Sequence, residues 1–190
     1  MTRFINLLTV LILLFTQTAL AAGREGLDSS ASRPVPVRLL IDGEYFDALK
    51  AGIEGAQSEI VICAYLFKTL EGARGYPEQI LRSLSAAVKR GVRVYAVMEL
   101  SQESGDLTRT NGETAERLKQ AGIKVCPDPR NRTTHTKLIV IDRRRLFVGS
   151  HNLTQSALKY NHEASVLIDS PQLAKEALDY LDSVCDPKIR

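Results

Sequence analysis

One block of the 190-residue chain concentrates groups able to do phosphorus chemistry: His135, Lys137, Asp142, Gly149, Ser150 and Asn152, within TTHTKLIVIDRRRLFVGSHNLT. An imidazole supplies a nucleophile or a proton carrier, an ammonium neutralises anionic oxygens, and a hydroxyl and an amide add neutral hydrogen bonds. Together they suit a phosphate ester. Successive strand residues point to opposite faces, so His135 and Lys137, two positions apart, look into one space. KLIVID and LFVGS read as the arms of a hairpin around the basic turn RRR, which brings Ser150 and Asn152 back to the end where His135 begins. Gly149, lacking a Cβ, permits close approach of backbone or ligand. Asp142 lies five residues past Lys137 and faces away from it, which assigns it to anchoring the hairpin. A lone histidine is usually a satisfied core residue, but six identities at the fixed spacing His-x-Lys-x4-Asp-x6-Gly-Ser-x-Asn are too specific for that explanation.

The block resembles the HKD signature of the phospholipase D superfamily, with no departure at any of the six positions. The likeness extends to Glu163 in YNHEASVLI, where the family carries an acidic residue shortly after the motif. Length, a single motif and an apparent export signal make the chain most similar to the bacterial periplasmic, metal-independent endonuclease branch. The resemblance implies a site built from two motifs, one histidine attacking phosphorus and the other protonating the leaving oxygen. This chain holds one motif, since neither His151 nor His162 has a lysine two residues on or the Gly-Ser-x-Asn tail. The expectation is therefore a homodimer with one composite site and His135 from each subunit facing across a two-fold axis. Lys137, Ser150 and Asn152 would hold the phosphate, and Glu163 would accept a hydrogen bond from His135 and fix its tautomer. No cofactor or metal is implied, because paired lysines and histidines supply the positive charge.

Stepping outward from the motif, strand and helix patterns alternate. VPVRLLID, residues 35–42, reads as a strand; EYFDALKAGIEGA as a helix; EIVICAYLF as a strand covered on both faces. Pro77 opens the helix PEQILRSLSAAVKR, Gly91 terminates it, and VRVYAVME follows as a strand. Residues 101–112 read as an exposed loop before the helix ETAERLKQAG, and KVCP as an edge strand stopped by prolines. EASVLID is the last strand, and PQLAKEALDYLDSVC closes the chain as an amphipathic helix. The expected fold is α/β, a mixed β-sheet sandwiched between helices, in one phospholipase D-like catalytic domain over residues 37–190.

The start MTRFINLLTVLILLFTQTALAAG has one early cation, Arg3, an apolar run from Leu7 to Phe15, and Ala19-Leu20-Ala21, as a signal peptide over residues 1–22 requires. The apolar run is shorter than the about 20 residues a membrane span needs, so periplasmic or secreted localisation without stable membrane association after signal removal is expected. Residues 23–36, rich in small residues and proline, read as a flexible leader. Removing the signal leaves 24 Lys+Arg against 22 Asp+Glu, so overall charge says little about partners. Six cations between Arg130 and Arg145 do say something, and Arg143, Arg144 and Arg145 are read as a rim that draws in nucleic acid, with a solvated turn as the equal alternative. Three cysteines suit an oxidising compartment: Cys126 and Cys185 either pair or stay apart, and Cys63 reads as a buried small hydrophobe.

The leading functional expectation is a phosphodiesterase, a nuclease without sequence specificity that hydrolyses DNA, with RNA as a further candidate substrate, through a phosphohistidine. A phospholipid hydrolase using the same chemistry is the second. A non-catalytic nucleic-acid-binding or transfer accessory protein is the third, and the intact motif argues against it.

Overall fold

The computed structural model describes residues 34–100, 105–127 and 132–185. The signal peptide, most of the leader, and Arg130 lie outside these residues. The elements are β1 (Val37–Ile41), α1 (Glu44–Glu54), β2 (Glu59–Ala64), α2 (Tyr76–Lys89), β3 (Arg93–Met98), α3 (Asp106–Gln120), β4 (Lys124–Pro127), β5 (Lys137–Ile141), β6 (Arg145–Gly149), α4 (Gln155–Lys159), β7 (Ala164–Asp169) and α5 (Pro171–Val184). The strands form one seven-stranded sheet in the order β1-β7-β6-β5-β2-β3-β4. β2, β3 and β4 are parallel neighbours, while β1, β7, β6, β5 and β2 pair antiparallel, so the sheet is mixed as expected.

Alternation along β2 divides the core. Ile60 and Ile62 join Leu49, Ile53, Leu84 and Leu118 on the face covered by α1, α2 and α3. Val61 and Cys63 join Leu138, Val140, Leu146, Leu178 and Leu181 beneath α5. β2 is buried along its whole length, which explains its unbroken apolar run. Among the described residues α5 alone covers the second face, and the β1 end of the sheet is bare there. Val37, Leu39 and Ile41 are 59, 59 and 43 % exposed while Leu40, on the three-helix face, is buried.

One expectation needs correction. α3 begins at Asp106, inside the stretch read as a loop, because Asn111 is buried and its side chain saturates neighbouring backbone: Oδ1 accepts from Phe67 N at 3.0 Å, and Nδ2 donates to Tyr65 O and Glu99 O at 2.8 and 2.7 Å. A loop-favouring residue is held in a helix by tertiary hydrogen bonds. β1 begins at Val37, directly after the stretch read as a leader, and Pro36 O accepts from Asp169 N at 3.0 Å. Cys126 and Cys185 form a disulfide with Cα atoms 6.2 Å apart, pinning the end of α5 to edge strand β4. Cys63 is buried outside it. No helix among the described residues is long and apolar enough to cross a membrane.

Candidate active site

β5 starts and β6 ends at the same edge of the sheet, because the pair is antiparallel with Leu138 opposite Val148. His135 and Lys137 therefore stand beside Ser150 and Asn152, as the spacing requires. The segment before β5 is fixed from two sides: Thr134 N donates to the buried Glu99 carboxylate at 2.5 Å, and Tyr65 N donates to Thr136 O at 3.0 Å. His135 is exposed between these anchors, its ring 4.3 Å from that of Tyr65. Lys137 Nζ donates to His135 O at 2.9 Å, lies 3.4 and 3.5 Å from the two ring nitrogens, and sits 4.7 Å from the centre of the Tyr65 ring. Partial burial pulls the Lys137 pKa below its ordinary value, and the Glu163 charge opposes that shift. An ammonium so placed offers its protons to any anion arriving beside the imidazole.

The other side of the site is a polar knot at the start of β7. Ser150 N donates to Ala164 O at 3.0 Å, Ala164 N donates back to Ser150 Oγ at 3.1 Å, and Ser150 Oγ donates to Glu163 Oε2. Asn161 Nδ2 donates to Glu163 Oε1 at 3.1 Å. Glu163 is thus held by Ser150 and Asn161, and no hydrogen bond joins it to His135 within the chain. Within the single chain Lys137 occupies the space beside the ring, and Ser150 takes the carboxylate. Asn152 Oδ1 is buried without a hydrogen-bond partner among the described residues, against a small void lined also by Lys137, Cys63 and His151. An orphaned acceptor of that kind is costly unless something fills the role of donor.

Gly149 has a specific reason to be glycine. A Cβ there would overlap Ser165 Oγ and Cα and stand 2.6 Å from Ala164 O, so any side chain would push β6 and β7 apart at the site. His151 faces inward and is buried, stacked on Tyr45 at 4.2 Å, with Nδ1 on Ser165 Oγ at 2.8 Å and Nε2 on Asp42 O at 3.0 Å. Burial holds its pKa below the usual histidine value, and the Asp42 carbonyl pulls the other way. It braces the site rather than entering it. His162 meets Asp42 Oδ2 at 3.2 Å.

Asp142 anchors the hairpin, as read, but at the opposite end. Its carboxylate accepts from Gln57 N, Ser58 N, Ser58 Oγ and Glu59 N at 2.8–3.2 Å, fastening the turn to the entry of β2. Partial burial raises its pKa, and these donors outweigh burial, so the net shift is downward. Asp142 and Arg143 both adopt positive φ, 54° and 53°, which suits a tight hairpin turn.

The arginines read as a rim, or equally as a solvated turn, stand at the far end of the hairpin from the motif. Arg143, Arg144 and Arg145 sit at the turn, four strand residues from Lys137, or roughly 13 Å at about 3.3 Å per residue. Each is engaged locally, Arg143 with Glu59 at 3.2 Å, Arg144 with Asp169 at 2.6 Å and Arg145 with Asp142 at 3.5 Å. A hairpin necessarily sends its turn away from its open ends. Residues that sequence reasoning missed are Tyr65, Glu99, Asn111 and Asp42. Asp42 was legible only as the Asp-Gly that ends β1, yet its Oδ1 accepts from Glu163 N at 2.8 Å and its φ is 50°.

The fold agrees with comparisons to known proteins. Residues 49–185 match the family model described as cardiolipin synthase, PLD-like domain, and the chain belongs to that phospholipase D-like family. It is similar to a phospholipase D of Rickettsia prowazekii, 32 % identical over 127 residues, covering 66 % of this chain and 55 % of the relative. Mitochondrial cardiolipin hydrolase of Mus musculus is 25 % identical over 129 residues, covering 68 % and 52 %. The chain spans about half the length of the curated relatives it matches. Among solved structures, Nuc from Salmonella typhimurium, a phospholipase D family member, superposes with a TM-score of 0.67 at 25 % identity over 80 % of this chain and 94 % of that one. NucT from Helicobacter pylori shares the fold with a TM-score of 0.63 at 20 % identity, covering 80 % and 96 %.

Proposed function

We propose that the protein is a phosphodiester hydrolase acting on nucleic acid through a site that two copies of the chain complete. One observation carries the reading: the motif end gathers one exposed imidazole beside one ammonium, while His151 is buried and braced and His162 is turned to Asp42. In-line displacement at phosphorus needs both a nucleophile and an acid for the departing oxygen. His135 of one subunit attacks to form the phosphohistidine, and the second copy's imidazole protonates the leaving group and then activates water. Lys137 Nζ and the Asn152 amide nitrogen donate to the nonbridging oxygens. Glu163 acts through Ser150 and through its charge on Lys137 in the single subunit. Metal independence follows the same logic of supplied charge.

The bare sheet face supports a second copy. Among the described residues seven large apolar side chains are exposed, and four of them, Val35 just before β1 and Val37, Leu39 and Ile41 within it, follow one another along the chain. A fifth, Tyr180 on α5, meets Thr136 at 3.2 Å, next to His135. Such an uncovered stripe marks an interface. α5 of one copy laid on the β1–β7 half of the other would cover it. Export to the periplasm, argued from the N-terminal pattern, is part of the same proposal.

Hydrolysis of phospholipid is the second reading, favoured by the relatives named phospholipase D and cardiolipin hydrolase. Supercoiled plasmid and anionic phospholipid vesicles, each offered with excess chelator, separate the two. Plasmid nicking that disappears in His135→Ala, by a species of twice the chain mass, supports the proposal. Lipid turnover without nicking, or full activity in a strict monomer, overturns it.

A further inference from the structure

The two remaining exposed apolar side chains among the described residues stand together elsewhere. Leu70 and Tyr160, 53 and 69 % exposed, border an open groove of about 440 Å³ lined also by Lys68, Ala73, Pro77 and Gln155. Two segments that run side by side lead from the site to the groove. Phe67 pairs with Leu153 in an isolated bridge, Lys68 N donates to Leu153 O at 3.0 Å, and Leu153 N donates to Leu66 O at 3.0 Å. Tyr65, under His135, is three residues from Lys68, and Asn152 is three residues from Gln155, so the groove begins roughly 10 Å from the motif at about 3.3 Å per extended residue. A neighbouring nucleotide of a bound strand falls at that range.

Its chemistry alternates charge with an aromatic face. Lys159 Nζ lies 5.3 Å from the Tyr160 ring centre and 5.7 Å from that of Tyr76, Lys68 is an exposed part of the lining, and Arg74 is exposed between the lining residues Ala73 and Gly75. Against these three cations stands Glu71, exposed in the same loop; Glu78 is buried and spent on Leu70 N at 2.7 Å. The floor is held rigidly, with Gln155 Oε1 accepting from Tyr76 N at 2.7 Å and Thr69 bonded to the buried Thr114. The cations are set around an exposed ring, as a strand that presents phosphates and bases in turn requires. Aromatic rings stack on bases without regard to sequence, and flanking lysines track the backbone.

Resting on the nucleic-acid reading above, we propose that the groove between Lys68 and Tyr160 is a flanking subsite for single-stranded nucleic acid, in which Tyr160 stacks on a base next to the scissile phosphate and Lys68, Arg74 and Lys159 hold the adjoining phosphates. The interaction depends on the ring more than on the hydroxyl.

Steady-state cleavage of a fluorescent single-stranded oligonucleotide is compared with hydrolysis of bis(p-nitrophenyl) phosphate, which has no flanking nucleotide, in the wild type, Tyr160→Ala and Tyr160→Phe. Tyr160→Ala should raise KM for the oligonucleotide on the order of tenfold, with the small diester changed by less than about twofold. Tyr160→Phe should restore most of the loss. Equal KM values in wild type and Tyr160→Ala, with the wild type cutting the oligonucleotide, overturn the subsite alone. A wild type that hydrolyses the small diester but no oligonucleotide overturns the nucleic-acid reading and the subsite with it. A Tyr160→Ala defect confined to anionic phospholipid vesicles assigns the groove to lipid and overturns the proposal.

Discussion

The two ends of the β5–β6 hairpin are built from the same kinds of residue and do opposite things. At the turn, each arginine meets a carboxylate and Asp142 collects four donors, so charge is spent inside the chain. At the open end, His135 is exposed, Lys137 has only a carbonyl, a ring edge and an aromatic face, and Asn152 keeps an unmatched acceptor. Unspent hydrogen-bonding capacity is what a ligand can use. The contrast separates stabilisation from chemistry within about fifteen residues.

The strongest way to break that contrast is His135→Ala. Turnover of any diester should fall at least about a thousandfold, with the melting temperature unchanged, because the exposed ring supports little packing. Melting curves beside activity assays check both halves. Next is Gly149→Ala, which should cost about 3 kcal/mol by forcing β6 from β7 and should also lower activity, since the displaced strand carries Ser150. Chemical denaturation gives the first quantity, and kcat on the remaining folded protein gives the second.

Asp142→Ala should cost about 2 kcal/mol through four stranded donors while leaving kcat per folded molecule intact. Loss of kcat in proportion to stability would erase the division between the two ends. Acid titration sharpens it further. Asp142 has a folded pKa below its unfolded value near 3.9, so its contribution is full above that value and is lost as pH falls through the folded pKa. His151, at the site end, has a folded pKa depressed below about 6.5, so its neutral ring supports the fold above that pH and loses support as pH falls through the folded value. Melting temperature should therefore decline in two limbs, the upper one absent from His151→Gln and the lower one absent from Asp142→Asn. Smallest is Arg144→Gln, where an exposed ion pair is lost. Neither melting temperature nor KM for nucleic acid should move beyond error; a clear rise in KM would return the turn arginines to the substrate.

Most elements were legible because their signals are local. The unbroken apolar run of β2, Pro77 at the start of α2, and the apolar face of α5 each lie within one segment, and each formed where the pattern placed it. The start of α3 was not legible, since Asn111 is helical only by virtue of the backbone groups of Tyr65, Phe67 and Glu99 that it satisfies. His151 shows the same limit on the scale of one residue. Alternation placed it opposite Ser150, but only the stacked Tyr45 and the Asp42 carbonyl bury it.

The sequence by itself determined the motif, its hairpin and the convergence of His135, Lys137, Ser150 and Asn152, because strand periodicity and antiparallel return are properties of one continuous segment. Tertiary structure alone decided that Glu163 turns to Ser150, that Tyr65 and Glu99 frame His135, and that one half of a sheet face stays bare. Those facts depend on distances between segments far apart in the chain, which packing and burial set and no local pattern encodes.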